Sequence, residues 1–322
     1  MGPLEFTPLL KRIRWGGTRL GRVLGKQIGN AIDVAESWEI VDHGDDQSVV
    51  VRGPHVGSTL HHLVQEYGPA LLGRNANLSQ FPLLIKFLDA TDRLSLQVHP
   101  NDDQVRAKHH RGNGKTEAWL IIEAAPESRI FAGLKTGVKR AQLAEALERG
   151  DAENLLHSFR ARSGDCIYLP AGTVHAIGEG ILLAEIQQSS DITYRLFDWG
   201  RTGADGKPRE LHIAQGLECT DFERGPVNPV VPLQISNAPH LIEELVRCDH
   251  FVIRRHVLSK AATLERENRF HILLGLSGEA HLEYGGDKLR IVRGTSILIP
   301  AVAPQIRIVP RGETVLLESY LP

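Results

Sequence analysis

Runs of four to nine apolar or alternating residues, with glycine and proline recurring between them, follow one another along this chain and leave little room for long helices. They read Phe81–Leu88, Trp119–Glu123, Asp165–Leu169, Ile181–Ile186, His250–Leu258, Phe270–Leu274 and Ser296–Ile299. With 31 glycines and 17 prolines between them, such runs point to a sandwich or barrel of short strands. One stretch breaks the pattern. Residues Val138–Phe159 carry helical Leu and Ala spacing, with Gly150 as a stop and Asp151 as a fresh N-cap, so a short helical pair is expected there. A further helix is expected at His240–Val246, after a stretch holding Pro226, Pro229, Pro232 and Pro239.

That proline-rich stretch also marks a boundary near residue 232, giving units of 1–231 and 232–322; a length of 322 suits two domains at roughly 150 residues each. An internal repeat supports the division. GDCIYLPAGTVHAI begins at Gly164 and GTSILIPAVAPQI at Gly294, with Pro170 against Pro300. Counted without gaps, Val302 falls opposite Gly172 and Gln305 opposite His175, so the second copy is expected to have lost its site and to serve structure. LSGEAHLEYGG at 276–286 reads as a strand–turn–strand unit of a small antiparallel barrel.

Composition removes several classes of function. Lys plus Arg is 37 and Asp plus Glu is 39, so no polybasic face for nucleic acid or membrane is expected. No apolar run approaches the roughly 18 residues that span a bilayer. The opening MGPLEFTPLLKRIRWGG puts charges where a signal peptide needs an apolar stretch, so a cytoplasmic location is expected. Cys166, Cys219 and Cys248 are odd in number and lack a CxxC pair, which argues against a disulfide framework or a thiolate metal site. A metal here needs His, carboxylate and amide ligands.

The segment LSLQVHPND, residues 94–102, supplies them. Strand alternation puts Ser95, Gln97 and His99 on one face and Leu96 and Val98 on the other, and Pro100 ends the strand. In GKTEAWLII, Lys115, Glu117, Trp119 and Ile121 share a face; the GTVH turn adds His175. Gln97, His99, Glu117 and His175 would together hold a divalent metal. Zinc accepts such a set, and two His with one carboxylate also suit non-haem Fe(II). A lone strand histidine is ordinarily just a hydrogen-bonded polar residue, so the weight rests on the combination. His61, His62, His109 and His110 come in adjacent pairs, which on a strand point to opposite faces, and are read as surface residues.

GDCIYLPAGTVH resembles the second motif of the cupin family, Gly-x5-Pro-x-Gly-x2-His. Gln97 departs from the cupin pattern, which has His in that position. SLQVHPND, GKTEAW, LPAGTVHAI and SSDITYRLFDWGR, with PLEFTPLLKRIRWGGTRL at the start, resemble the short bacterial form of type I mannose-6-phosphate isomerase from about residue 3 to 201. The resemblance implies a mainly β chain of two jelly-roll (cupin) domains with a small helical insertion. It implies one zinc ion per chain on Gln97, His99, Glu117 and His175. Arg195, Lys115, Glu185 and Asp191 are then the expected catalytic residues, with Ser95, Lys115 and Arg195 on a sugar-phosphate substrate.

The implied reaction interconverts mannose 6-phosphate and fructose 6-phosphate through an enediol, and Glu185, Asp191 and a metal-bound water stand as candidate bases. Each residue also has a plainer reading. Arg195 could pair with Asp198, Lys115 could be a solvated loop residue, and Asp191 a turn residue. Glu185 lies in the apolar run ILLAEI, where a carboxyl without a polar cavity would be costly. Two other functions fit the motifs: a cupin Fe(II) oxygenase, which would want the Gln97 position open, and a sugar-phosphate binder without turnover.

Overall fold

A computed structural model describes residues 1–108, 112–202 and 206–322, so His109 and His110 lie outside the described residues. Two large sheets form before residue 200. The larger is built from β1 (Leu9–Gly17), β2 (Val34–Ile40), β3 (Leu83–Ala90), β5 (Glu117–Ala124), β8 (Cys166–Leu169) and β10 (Ile181–Gln188), with β4 (Leu96–Val98), β6 (Arg129–Leu134), β7 (Leu156–Arg160), β9 (His175–Ile177) and β11 (Tyr194–Phe197) in the smaller. Their orders are β8-β5-β10-β3-β2-β1 and β7-β6-β9-β4-β11, all antiparallel where paired. Trp15, Leu88, Trp119, Ile130, Ile177 and Leu183 from both sheets meet in one core, so the sheets close a jelly roll.

The remainder repeats this plan. The strands are β12 (Leu233–Ser236), β13 (Leu241–Arg247), β14 (Val252–Leu258), β15 (Ala262–Thr263), β16 (His271–Ser277), β17 (Glu279–Tyr284), β18 (Asp287–Val292), β19 (Ser296–Ile299), β20 (Arg307–Pro310) and β21 (Thr314–Tyr320). Read from the matching edge, the sheets run β19-β16-β21-β14-β13-β12 and β18-β17-β20-β15. Strand for strand, this is the order of the first barrel without β11. The sequence repeat is visible in it: β8 and β19 lie 130 residues apart, each two residues after a glycine at positive φ, Gly164 (+89°) and Gly294 (+83°). That conformation suits glycine and sets the tight entry into the strand.

The large sheets pack back to back. Phe87, Leu120, Ala184 and Ile186 of one meet Ile253, Ile272, Leu274 and Leu317 of the other, joined by helix α1 (Leu60–Leu72). Thr59 caps that helix by accepting from the His62 N–H. His61 and His62 are exposed as expected, but on this helix rather than on a strand. Between the barrels Glu39 is buried and takes Lys26 Nζ at 2.6 Å and Ser296 Oγ at 2.8 Å, and Leu4 makes both bridge hydrogen bonds with Leu298. A buried, fully paired charge is tolerable where an isolated one is not.

Two expectations about helices are corrected. His240–Val246 is not a helix; β13 covers all of it but His240. A bulge between Glu244 and Val246 turns the neighbours Leu245 and Val246 both inward, and this broke the alternation that would have marked a strand. A short helix, α2 (Asp102–Ala107), follows β4, and in Val138–Phe159 only α3 (Arg140–Arg149) is α-helical, stopped by Gly150; Ala152–Leu155 is one 3-10 turn, and Leu156–Phe159 runs into β7. α3 places Leu143, Ala146 and Leu147 on the outer face of the small sheet. Another helix, α4 (Ile213–Cys219), adds Leu217 to the same layer.

Candidate metal centre and cavity

Alternation along β4 works as the sequence suggests: Leu96 and Val98 enter the outer core and Gln97 faces the barrel interior. His99 follows just past the strand, buried, and its backbone carbonyl accepts from the Gly172 N–H at 2.8 Å. Gly172 adopts φ +86°, and a Cβ there would come within 3.0 Å of the Cys219 carbonyl, so this close tie between the two histidine-bearing segments needs glycine. Gln97 is in register with His175 on β9, and Glu117 with Leu169 on one side and Gln187 on the other.

The structure thus brings Gln97, His99, Glu117 and His175 together. One ligand atom from each of His99, Glu117 and His175 lies within 4.8 Å of the others. His99 Nε2 is 3.6 Å and His175 Nε2 3.3 Å from the Glu117 carboxylate, and the Gln97 amide is 3.2 Å from His175 Nε2. Each ring donates its Nδ1–H to a backbone carbonyl, Ile192 for His99 and Thr173 for His175, both at 2.8 Å. Both Nε2 lone pairs then point at the shared centre, the orientation a metal-bound imidazole requires. Burial pushes His99 well below its ordinary value and His175 down to about 4, which keeps both rings neutral. Neither oxygen of the buried Glu117 has a properly angled hydrogen bond, although the Lys115 ammonium lies 2.9 Å from one of them. An orphaned carboxylate facing two neutral imidazoles fits a divalent cation.

Beside this centre opens a cavity of about 320 Å³. Ser95, Lys115, Glu185, Asp191 and Arg195 all line it. Lys115 is buried, not a solvated loop residue: its Nζ is 3.7 Å from Glu185 and 3.3 Å from His99 Nε2. Burial works against its charge, but Glu117 and Glu185 outweigh this and raise its value. Glu185 is buried with one oxygen unpartnered, and burial would raise it; Lys115 and Lys86, at 3.7 and 3.6 Å, instead hold it below the ordinary range. Arg195 does not pair with Asp198, which takes Arg201 at 2.8 Å and Arg209 at 2.7 Å. Its guanidinium donates to the Glu210 carbonyl at 2.8 Å and keeps Nε free. Asp191 is exposed at the rim and lies 3.2 Å from His43, whose hydrogen bond lowers its value.

Lys86, Glu36 and Trp38 complete the wall and were not singled out in the sequence. Lys86 sits in LLIKFLDA, where every residue of β3 is buried, so no polar face is visible. Its ammonium is held by Glu36 at 3.6 Å and lies over Trp38 at 4.7 Å.

The barrel and its donor set are those of a cupin metalloprotein, and comparison with known proteins narrows the class. Residues 4–122 match the type I phosphomannose isomerase catalytic domain, and residues 241–320 the cupin domain of mannose-6-phosphate isomerase. The chain is 37% identical to mannose-6-phosphate isomerase ManA of Bacillus subtilis over 92% of its own length and 93% of that protein's. It is 34% identical to the mannose-6-phosphate isomerase of Streptococcus mutans over 92% of each. A crystal structure of mannose 6-phosphate isomerase from Bacillus subtilis superposes with a TM-score of 0.92, at 30% identity and full coverage of both chains.

The chain belongs to the type I phosphomannose isomerase family. It is a metal-dependent isomerase of mannose 6-phosphate. Among the described residues, no helix is long and apolar enough to cross a membrane.

Proposed function

We propose that the first barrel, within residues 1–231, interconverts mannose 6-phosphate and fructose 6-phosphate with zinc held by Gln97, His99, Glu117 and His175. The observation that carries this is the orphaned Glu117 carboxylate between two neutral imidazoles, beside a cavity lined by Gln97, Lys115 and Glu185. Gln97, whose amide N–H now points at the His175 Nε2 lone pair at 3.2 Å, would offer its amide oxygen after an amide flip that a bound cation favours. A divalent cation there supplies Lewis-acid stabilisation to sugar oxygens that become negative.

Glu185 is the proton carrier. It is ionised, buried and has an unpartnered oxygen facing the cavity, whereas Asp191 lies exposed at the rim beside His43. Glu185 takes the proton from C2, the hydroxyl proton on O2 passes to O1, and Glu185 returns the first proton to C1. The Lys115 and Lys86 ammonium groups keep Glu185 ionised, and Lys115 is placed to hydrogen-bond the enediol oxygens. Arg195, with no carboxylate partner at the mouth, takes the phosphate, since a guanidinium fork matches it bidentately. Ser95 gives a sugar hydroxyl a partner, and Asp191 fixes His43 at the entrance. The oxygenase and the turnover-free binder are not favoured by this wall of Lys115, Glu185 and Arg195 or by the family.

Conversion of mannose 6-phosphate measured before and after chelation, with zinc added back, tests the reading. Turnover lost on chelation and restored by zinc is the expected result; undiminished turnover of metal-free protein would overturn it.

A further inference from the structure

The pairing registers align the two barrels residue by residue. In the first, β8 pairs Leu169 with Glu117; in the second, β19 pairs Ile299 with His271, and Ile299 lies the same 130 residues beyond Leu169. His271 therefore stands where Glu117 stands. One strand on, Glu185 is opposite Trp119, and Glu318 is opposite Leu273, two residues after His271 as Trp119 is two after Glu117. One further, Lys86 is opposite Glu185, and Arg254 is opposite Glu318. The second barrel thus keeps ionisable side chains at three wall positions of the first: Arg254, Glu318 and His271 for Lys86, Glu185 and Glu117.

These residues line a cavity of about 610 Å³. Glu318 is buried and accepts from His256 Nε2 at 2.9 Å and His271 Nδ1 at 2.6 Å. A carboxylate only accepts, so both ring nitrogens carry hydrogens towards it. His256 Nδ1 then accepts from His240 Nε2 at 3.2 Å. Two lone pairs are left over, at His271 Nε2 and His240 Nδ1; both atoms are buried and unpartnered, as is the Tyr320 hydroxyl. His271 is 3% and Tyr320 1% exposed, so water does not freely compensate them. Arg254 reaches Glu244 only through Nε at 3.4 Å, because Arg247 already grips that carboxylate through two nitrogens; among the described residues its terminal fork makes no hydrogen bond and lies over the Tyr320 ring at 5.4 Å.

We propose that the second barrel is a binding site for a small polyhydroxylated anion of sugar-phosphate size, its hydroxyls on His271, His240 and Tyr320 and its anionic group on Arg254. Ligand hydroxyls donate to the two imidazole lone pairs, and the Tyr320 hydroxyl donates to or accepts from a third. The anionic group takes the free fork of Arg254 bidentately. The partner sheet brings Leu264 and Ile306, joined by a backbone hydrogen bond at 3.0 Å, where the first barrel pairs Gln97 with His175. The site is therefore one for binding and not for metal-assisted chemistry.

Histidine Cε1–H NMR resonances of the full, metal-loaded chain read this site separately from the first cavity. The probe is 6-phosphogluconate, with inorganic phosphate (charge without hydroxyls) and mannitol (hydroxyls without charge) beside it. The resonances of His271 and His240, assigned by their loss in His271→Gln and His240→Gln, should shift saturably with 6-phosphogluconate and at lower concentration than with either control. Arg254→Met should weaken that binding by about tenfold or more, with turnover of mannose 6-phosphate within about twofold of wild type. Should Arg254→Met fail to fold, Tyr320→Phe removes one hydroxyl without changing shape and should weaken binding severalfold. Unmoved resonances at millimolar probe overturn the proposal, as does equal binding by the variants; phosphate or mannitol binding as tightly as the probe overturns the ligand class.

Discussion

The two barrels share one strand order and three polar wall positions, and they part at the small sheet. In the first, β4 and β9 carry Gln97 and His175 inward; in the second, the matching positions next to β15 and β20 hold Leu264 and Ile306. The proposed metal centre therefore draws donors from both sheets at once, Glu117 from one and Gln97 with His175 from the other. A single sheet keeps its polar residues and still makes no such centre: among the described residues, the only His/Cys/Asp/Glu cluster of metal-ligand spacing is His99, Glu117 and His175. His271 donates its Nδ1–H to Glu318 as His99 and His175 donate theirs to backbone carbonyls, so the second barrel differs in its missing small-sheet donors and not in ring orientation.

The sharpest way to break the comparison is to remove one donor from the first barrel. His99→Ala should lose bound metal and lower kcat/KM by a thousandfold or more, on the order expected for loss of a catalytic metal; elemental analysis beside the assay checks both. Glu185→Gln and Glu318→Gln test the same register position twice. The first should lower kcat by about a hundredfold to ten-thousandfold with metal retained, the size of a general-base contribution. The second should leave kcat alone and cost about 3 kcal/mol of stability, since two buried charged hydrogen bonds are lost. Arg195→Ala should raise KM for mannose 6-phosphate by about ten- to a hundredfold with metal content unchanged; metal lost with it would make Arg195 a structural residue.

A smaller effect lies in the pH dependence of stability. Burial pushes Glu318 up, but hydrogen bonds from His256 and His271 outweigh it and hold the carboxyl below the ordinary range. A depressed folded value means that its stabilisation is present in full above the unfolded value of roughly 4.3 and is lost as pH falls through the folded one. Melting temperatures recorded from neutral pH downward should fall less steeply on the acid side in Glu318→Gln than in wild type. Smallest of all, Gln305→His should gain no metal. Gln305 is exposed and off the strand, because β20 begins only at Arg307, so gapless counting from Gly294 does not bring position 305 to the place of His175.

The site was legible where one strand face is polar and the other apolar. Gln97 and His99 alternate with Leu96 and Val98, and Glu117 and Lys115 follow the same rule. Lys86 was hidden because β3 is buried on both faces, and a charge inside an apolar run carries no period. His256, His271 and Glu318 were hidden for a related reason. They belong to three strands far apart in sequence, and only the register joins them. Helix α1 was missed through its interior Pro69, and β13 was misread as a helix because its bulge imitates helical spacing.

The bridge between Leu4 and Leu298 bears on the order in which the molecule is made. Nearly the whole chain is synthesised between these two residues, yet each closes hydrogen bonds on the other, and Leu4, Phe6 and Leu298 share one core with the backs of both large sheets. A growing chain that has finished the metal-bearing barrel still displays an apolar sheet back and an unpaired start. The period before β19 emerges is then the stretch of synthesis in which aggregation and chaperone capture compete with folding.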